Sequence, residues 1–435
     1  MKILVIDGNA LALDFCLRSM AEGHDVRWFI RDKEPGIRTV GEGLVPKTND
    51  WKQWMRWAEL IFLPDNAVYM RDLEWYRLRG FPIYGPSDES ARWEMERQTG
   101  MDIFRKHKIP VLGGRTFTRY SEAVAFVKAT KKRYVSKPSG DADKALSYVS
   151  KGPRDMIFML DKWHREGCIK SPFILQEFVP GIEMAVGAWV GPQGFDSPWC
   201  ENWEFKKLLE GDRGVATGEQ GTVLRYTDKS LLADKVLAPL EEALVNSGHT
   251  GYVDVNCIID AAGNPWPLEF TMRPGWPLFN IQQQLHARTA EWMAESLRGG
   301  VTRKNFSTRH LALGVVVTIP DYPYGKYPRE KVSGIPLFNM EKYRSKLHPC
   351  ELKMGMAPSE KPPYNPEQVM VSAGVYLIVG CGMGETVSEA KREAYKVVES
   401  LEIPNSPMWR PDIGTRLEKQ LPKLHGMGYA QKMKF

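Results

Sequence analysis

Gly251-Tyr-Val-Asp-Val-Asn256-Cys-Ile-Ile-Asp260, a Gly263-Asn264 turn, and then Leu268-Glu269-Phe-Thr271-Met-Arg273-Pro-Gly275 stand just past the middle of the chain. Two apolar strands joined by a tight turn account for the pattern, each interrupted by polar side chains where a strand would meet a site. Asn256 and Glu269 offer hard oxygen donors of the kind Mg²⁺ takes. Arg273, one turn of sequence further on, supplies a planar fork for phosphate or carboxylate. Oxygen ligands beside a guanidinium are what phosphoryl transfer from ATP requires.

Working outward, 435 residues are too many for one ordinary core, and about two to four domains are expected. A 43% apolar and 26% charged composition is that of a soluble globular protein. No apolar run approaches the roughly 18 residues of a membrane span, so no membrane partner is expected. Asp7 and Asp14 interrupt the apolar N-terminus, which reads as a first strand rather than a secretion signal. Six cysteines without C-x-x-C spacing suggest neither zinc nor disulfides and fit reduced thiols in a cytoplasm. The net charge of +6 suits anionic small molecules. The basic tail Lys423–Phe435 reads first as a solvated terminus, and nucleic acid is not the expected partner. A monomer or homodimer is expected.

The first segment alternates strand and helix: Lys2–Ile6, a helix over Leu11–Met20, then Val26–Ile30 and Leu60–Leu63. That alternation predicts a parallel sheet with helices on its faces. The turn Asp7-Gly8-Asn9-Ala10 lacks the three-glycine dinucleotide fingerprint, which argues against an NAD site. Ser87 caps a helix whose first turn holds Asp88 and Glu89, expected to run to about Gly100. Ser121–Lys131 is a second capped helix, and Tyr134–Lys137, Phe173–Phe178 and Met184–Val190 read as strands. Further on, His310–Ile319 and Val369–Gly380 are strand runs, and Thr386-Val-Ser-Glu389 opens a helix with a capping box. The expected architecture is mixed α/β and α+β: an N-terminal parallel α/β domain (1–84), a central domain (85–302), and a separate C-terminal α+β domain with the basic tail (303–435).

Several stretches together resemble the ATP-grasp superfamily, specifically phosphoribosylamine–glycine ligase. Gly85-Pro-Ser through Phe104-Arg-Lys-His107-Lys-Ile-Pro110 is similar to that family's entry into its ATP-grasp domain, which would make residues 1–84 the pre-ATP-grasp domain. Phe205-Lys206 through Gly211-Asp212-Arg-Gly214-Val-Ala-Thr217-Gly218-Glu-Gln-Gly221 is similar to its substrate loop. Leu268-Glu269-Phe-Thr271-Met-Arg273-Pro-Gly275-Trp-Pro277 resembles Leu-Glu-Phe-Asn-x-Arg-x-Gly-Asp-Pro. Gly384-Glu-Thr-Val-Ser-Glu-Ala390 and Arg410-Pro-Asp412-Ile-Gly414 echo the C-terminal domain, and the echoes run in family order. The resemblance implies an ATP- and Mg²⁺- (or Mn²⁺-) dependent carboxylate–amine ligase that forms a carbon–nitrogen bond through an acyl phosphate. Its expected substrates are a small-molecule carboxylate, glycine or another amino acid, and an amine.

The same resemblance implies the site residues. Arg97, Lys137 and Lys144 would meet phosphate oxygens. Gln176, Glu177, Phe178 and Val179 would form the linker along the adenine, with Glu183 on the ribose. Glu269, Asn256 and Thr271 would hold the metal. Arg273, Lys206 and Asp212 would act at the reacting groups, and Thr217 and Gly218, with Gly8 and Asn9 of the N-terminal turn, would line the substrate side. Each lysine taken alone reads first as surface charge. Glu177 and Glu183 read equally as solvent-facing strand residues; for Glu269 metal is the expected partner and an ion pair to Arg273 the alternative, and a turn explains Asp212 almost as well. Trp199, Trp203 and Trp276 are core residues by default. Three departures stand out. The family's Gly-Asn-Gly-Gly-Arg-Glu-His phosphate loop is replaced by Gly8-Asn9-Ala-Leu-Ala-Leu-Asp14, which points to a changed acceptor such as a modified nucleotide or another small amine. Lys137-Pro-Ser-Gly140-Asp-Ala-Asp143-Lys144 is poor in glycine, and Thr271 replaces a metal-binding Asn. These last two motivate the alternative of a catalytically degenerate ATP-grasp nucleotide-binding protein.

Overall fold

A five-stranded parallel sheet opens the chain in the computed structural model, which describes residues 1–138, 147–168, 172–300 and 302–435. Its strand order is Lys47–Thr48, Asp25–Ile30, Lys2–Asp7, Leu60–Phe62, Ile83–Tyr84. The winding reverses between Lys2–Asp7 and Leu60–Phe62, so their carboxyl ends open onto a crevice where doubly wound sheets take ligands. Ile3, Val5, Trp28 and Phe62 face one core, and Leu4, Ile6 and Ile61 face another. Burial on both faces is why these strands read as unbroken apolar runs.

Ser87 begins a helix as expected: its hydroxyl accepts the Ser90 N–H, and the Ser90 hydroxyl accepts the Ser87 N–H, each at 3.0 Å. This helix covers only Asp88–Met95. Glu96 leaves helical geometry (φ −108°, ψ 89°), and a new helix runs Arg97–Lys106. The break is allowed by Gly100, which packs so close that a Cβ there would meet the Trp93 carbonyl at 2.4 Å. The kink carries Arg97 toward the central hairpin.

A small four-stranded sheet follows, ordered Gly114–Phe117, Phe173–Glu177, Tyr134–Pro138, Tyr148–Val149. Helices Tyr120–Thr130 and Pro153–Glu166 complete it, and Tyr134, Met156, Leu160, Trp163 and Phe173 give this lobe its own core. The first of these helices starts after Arg119 with no side-chain cap, so Ser121 lies inside it and does not cap it.

The largest sheet has nine strands. Along its path run Pro265–Thr271, Gly251–Ile259, Ile182–Gly191, Trp199–Glu204, Gly221–Thr227, Leu311–Thr318, Tyr376–Gly384 and Leu347–Pro349, with Gly194–Phe195 paired beside Ile182–Gly191. A strand-then-helix pattern after residue 303 predicts a separate C-terminal unit. Instead Leu311–Thr318 pairs antiparallel with Gly221–Thr227, and one buried core runs through both segments. The expected strand over Val369–Gly380 is two strands: Pro366–Ser372 pairs with Leu352–Pro358, and Tyr376–Gly384 joins the large sheet. Gly374 makes the corner between them, where a Cβ would lie 2.2 Å from Glu351 Oε2. The Thr386 capping box is present, and Val387, Ala390, Ala394 and Val398 are buried along that helix. Among the described residues, no helix is long and apolar enough to cross a membrane.

Candidate active site

Strand geometry sends successive side chains to opposite faces. Val253, Val255 and Cys257 enter the core, so Asp254 and Asn256 emerge together on the other face. The neighbouring strands add Glu183, Asn202 and Glu204 on one side, and Glu269 and Thr271 on the other. Asn256 lies opposite Glu269, and Asp254 opposite Thr271. The result is a polar floor on an otherwise apolar sheet.

Lys206 leaves the end of Trp199–Glu204 and crosses this floor. Its Nζ lies 3.0 Å from Glu183 Oε1 and 2.7 Å from Glu204 Oε2. Asn256 Nδ2 donates to the same two carboxylates, each at 3.0 Å. Arg97, delivered by the helix break, places Nη2 2.9 Å from Glu269 Oε2. Lys137 approaches from the small sheet, close enough for Glu269, Arg97, Lys206 and Glu183 to shift its titration. The two sheets therefore face one another across the predicted phosphate residues.

Burial lowers the Lys137 ammonium to about 8, against the opposing pull of Glu269. Burial would raise the Glu269 carboxyl, but Lys137, Arg97 and Lys206 together outweigh it and hold it well below the usual range. Burial likewise opposes the Lys206 charge, yet Glu183, Glu204 and Glu269 raise it well above the ordinary lysine value. Lys137, Arg97 and Lys206 therefore gather around the Glu269 carboxylate, close enough to meet a polyphosphate.

The linker residues lie on the small lobe. Gln176 is buried in the middle of its sheet, and Glu177 pairs with Lys132 at 2.7 Å. The Glu177 and Phe178 N–H groups already donate to Gly113 O and Arg133 O, and the Arg133 guanidinium stacks on Phe178 at 3.4 Å. Val179 follows with no main-chain partner among the described residues. Glu183, expected on the ribose, is engaged by Lys206 and Asn256. Lys144 lies outside the described residues.

Arg273 sits at the border with the N-terminal crevice. Its Nη2 lies 3.3 Å from Glu94 Oε1, while Glu94 Oε2 accepts the Met272 N–H at 2.7 Å and Asn66 Nδ2 at 2.8 Å. In the crevice the turn after the first strand is closed on itself. Gly8 N–H donates to Asp65 Oδ2 (2.6 Å), Asn9 N–H to Asp7 Oδ1 (2.9 Å), and Ala12 N–H to Asp7 Oδ2 (2.9 Å). Burial, reinforced by Asp65, raises the Asp7 carboxyl to about 7. The amides of Gly8 and Asn9, expected on the substrate side, are thus occupied by the chain's own carboxylates. Thr217 also turns inward, its N–H and hydroxyl both donating to Lys206 O at 2.8 Å. Gly218 follows it beside the same loop, and Asp212 meets arginines from the chain's end rather than the floor.

The donor set fits a hard divalent cation. Asn256 Oδ1 is buried with no hydrogen-bond partner among the described residues, opposite the Glu269 carboxylate, with the Thr271 hydroxyl two positions along the same strand. Among the described residues no group of three or more His, Cys, Asp or Glu side chains could hold a metal ion alone. Two or three protein oxygens completed by phosphate oxygens and water is how Mg²⁺ is usually held. Glu94, Glu204 and Asp254 join the site without having been singled out in the sequence. The signal was available for two of them: Cys200-x-Asn202-x-Glu204 and Asp254-x-Asn256 place polar groups at alternate positions of buried strands.

Two sheets enclose this array, and residues 96–277 match the ATP-grasp family model described as Phosphoribosylglycinamide synthetase, ATP-grasp (A) domain. Within that class the chain resembles phosphoribosylamine–glycine ligases. It is 24% identical to the enzyme of Escherichia coli O157:H7 over 407 residues, covering 88% of this chain and 89% of the relative. Against the Ralstonia nicotianae enzyme it is 25% identical over 366 residues, covering 81% and 83%. The crystal structure of the Thermotoga maritima phosphoribosylamine–glycine ligase superposes with a TM-score of 0.72 at 19% identity, covering 95% of this chain and all of that one.

Proposed function

We propose that this protein is an ATP-dependent carboxylate–amine ligase that works through an acyl phosphate, with Mg²⁺, or Mn²⁺ in its place, as the metal. The observation that carries the proposal is the Glu269 array, in which cations from both sheets meet a buried Asn256 oxygen that has no hydrogen-bond partner among the described residues. A carboxylate oxygen of glycine or another amino acid attacks the γ-phosphorus, and the bond to ADP breaks. The amine nitrogen then attacks the acyl carbon, phosphate leaves with the C–O bond, and the nitrogen releases its proton. Arg97 and Lys137 offset the triphosphate charge, and Arg273 holds the transferred phosphoryl group with two parallel N–H donors. Lys206 faces the acceptor side. Glu269, Asn256 and Thr271 would hold the metal, which would neutralise charge at the phosphates. Catalysis is then mostly alignment and charge compensation.

The amine is other than a sugar phosphate seated on the N-terminal turn, because the turn's amides already serve Asp7 and Asp65. A modified nucleotide held elsewhere or a small amine fits better. We place the protein in the cytoplasm as a monomer or homodimer.

The test is ADP release with Mg²⁺, glycine or another amino acid, and hydroxylamine as a general amine, with hydroxamate as the product. ADP and hydroxamate should appear only when both substrates are supplied. ATP binding without turnover across a full amino-acid and amine panel would instead establish a silent nucleotide binder.

A further inference from the structure

The loop carrying Lys206 is gripped from the far end of the chain. Three carbonyls around Lys206 are each held: Arg416 Nη2 donates to Glu204 O at 2.7 Å, Thr217 to Lys206 O, and Arg410 Nη1 to Lys207 O at 3.1 Å. The same two guanidiniums converge on Asp212 at the loop's tip. Arg416 Nη1 lies 2.7 Å from Oδ2, and Arg410 Nη2 lies 2.9 Å from Oδ1. Asp412, bound by Arg410 at 2.5 Å, accepts the Gly211 N–H at 3.0 Å. Both guanidiniums also lie over the buried Phe205 ring, at 4.6 Å (Arg416) and 5.2 Å (Arg410) from its centroid.

This grip is needed. Between Lys206 and Thr217 the chain forms an isolated two-stranded ribbon, Lys207–Leu209 with Arg213–Ala216, joined to neither large sheet. Such a ribbon is marginal by itself in water. Its tip also holds Asp212 at φ 56°, a left-handed conformation that costs a non-glycine residue free energy. The Arg416 charge reaches further, helping to hold the Glu183 carboxyl below its usual range against burial, alongside Lys206.

We propose that Arg416 and Arg410 are positioning residues. They order the 205–217 loop and so set Lys206 Nζ between Glu183 and Glu204, which puts the acceptor side of the site under the control of the C-terminal segment. The catalytic half of this proposal rests on the ligase assignment; the structural half does not. Arg416 bridges two acceptors with one planar group, which a lysine ammonium cannot do with the same geometry.

The experiment compares wild type, Arg416→Gln and Arg416→Lys. Amide hydrogen exchange, read by mass spectrometry, should quicken about tenfold or more across 207–216 in Arg416→Gln, less in Arg416→Lys, and stay unchanged across 251–271. In the glycine–hydroxylamine assay, kcat/KM for hydroxylamine, the amine acceptor, should fall roughly 10- to 100-fold in Arg416→Gln, with the KM for ATP held within about twofold and more ADP released per hydroxamate. Arg416→Lys should recover part of the loss. Unchanged exchange over 207–216 overturns the proposal whatever the kinetics, as does an equal loss of kcat/KM for ATP and for hydroxylamine. A wild type that makes no ADP, but whose 207–216 exchange still answers to Arg416→Gln, retains the clamp and defeats the ligase assignment instead.

Discussion

Replacing Glu269 by Gln keeps the shape of the side chain and removes one charge from the centre of the array. The structural cost is small: the Arg97–Glu269 pair is partly solvated, with side chains 20% and 37% exposed, and such pairs contribute about 1 kcal/mol or less. The catalytic cost is larger, because the carboxylate balances Arg97, Lys137 and Lys206 and, on the proposed function, would contribute to metal binding. Losing one preorganised charged group at a site of developing charge costs about 10²- to 10³-fold in rate, roughly 3–4 kcal/mol. A second effect separates this from mere damage. Glu269 is the main group opposing the burial that lowers Lys137 to about 8, so its removal lowers Lys137 further. The profile of kcat/KM for ATP reports groups on the free enzyme. Its alkaline limb should lie near pH 8 in wild type and at lower pH in Glu269→Gln. Coupled ADP release across pH 6–10, with thermal melts as the folding control, measures both. A variant with wild-type rate, or one whose alkaline limb stays in place, would refute the assignment of Glu269 and Lys137 to the phosphate site.

Three further outcomes are expected. Gly8→Ala places a Cβ 2.7 Å from Val68 Cγ2 and 2.8 Å from Asp65 Oδ2, so it should destabilise the N-terminal turn by about 1–3 kcal/mol, read by denaturant unfolding. Ribose 5-phosphate should leave Gly8 and Asn9 amide exchange unchanged, and protection of those amides would show them free for an anion. Burial, aided by Glu204, raises Asp254 to about 7, so from about pH 4 to 7 the native chain keeps a proton that the unfolded chain has released. Stability on its account falls as pH rises through that window. Asp254→Asn should flatten this slope and raise the melting temperature at pH 8 relative to wild type, and an unaltered slope would count against it.

What could be read without coordinates was local or periodic. The Ser87 and Thr386 caps depend on side chains three residues apart, and both are present. The 251–275 hairpin follows from apolar alternation around a turn, and its outward-facing Asn256 and Glu269 follow from the twofold period of a strand. The N-terminal parallel sheet follows from strands alternating with helices. Tertiary structure alone decided who meets whom. Asp212 meets arginines about two hundred positions later in the chain, and the Gly8 amide meets Asp65 across the sheet. Leu311–Thr318 extends the central sheet because an edge with unpaired N–H and C=O groups was there to receive it. The helix breaks at Glu96, and the next one packs back on the first because Gly100 presents no side chain to the Trp93 carbonyl. Hydrophobic periodicity tells each segment which face to bury. The partner of a buried charge or an open strand edge depends on the path of the whole chain, which no local pattern encodes.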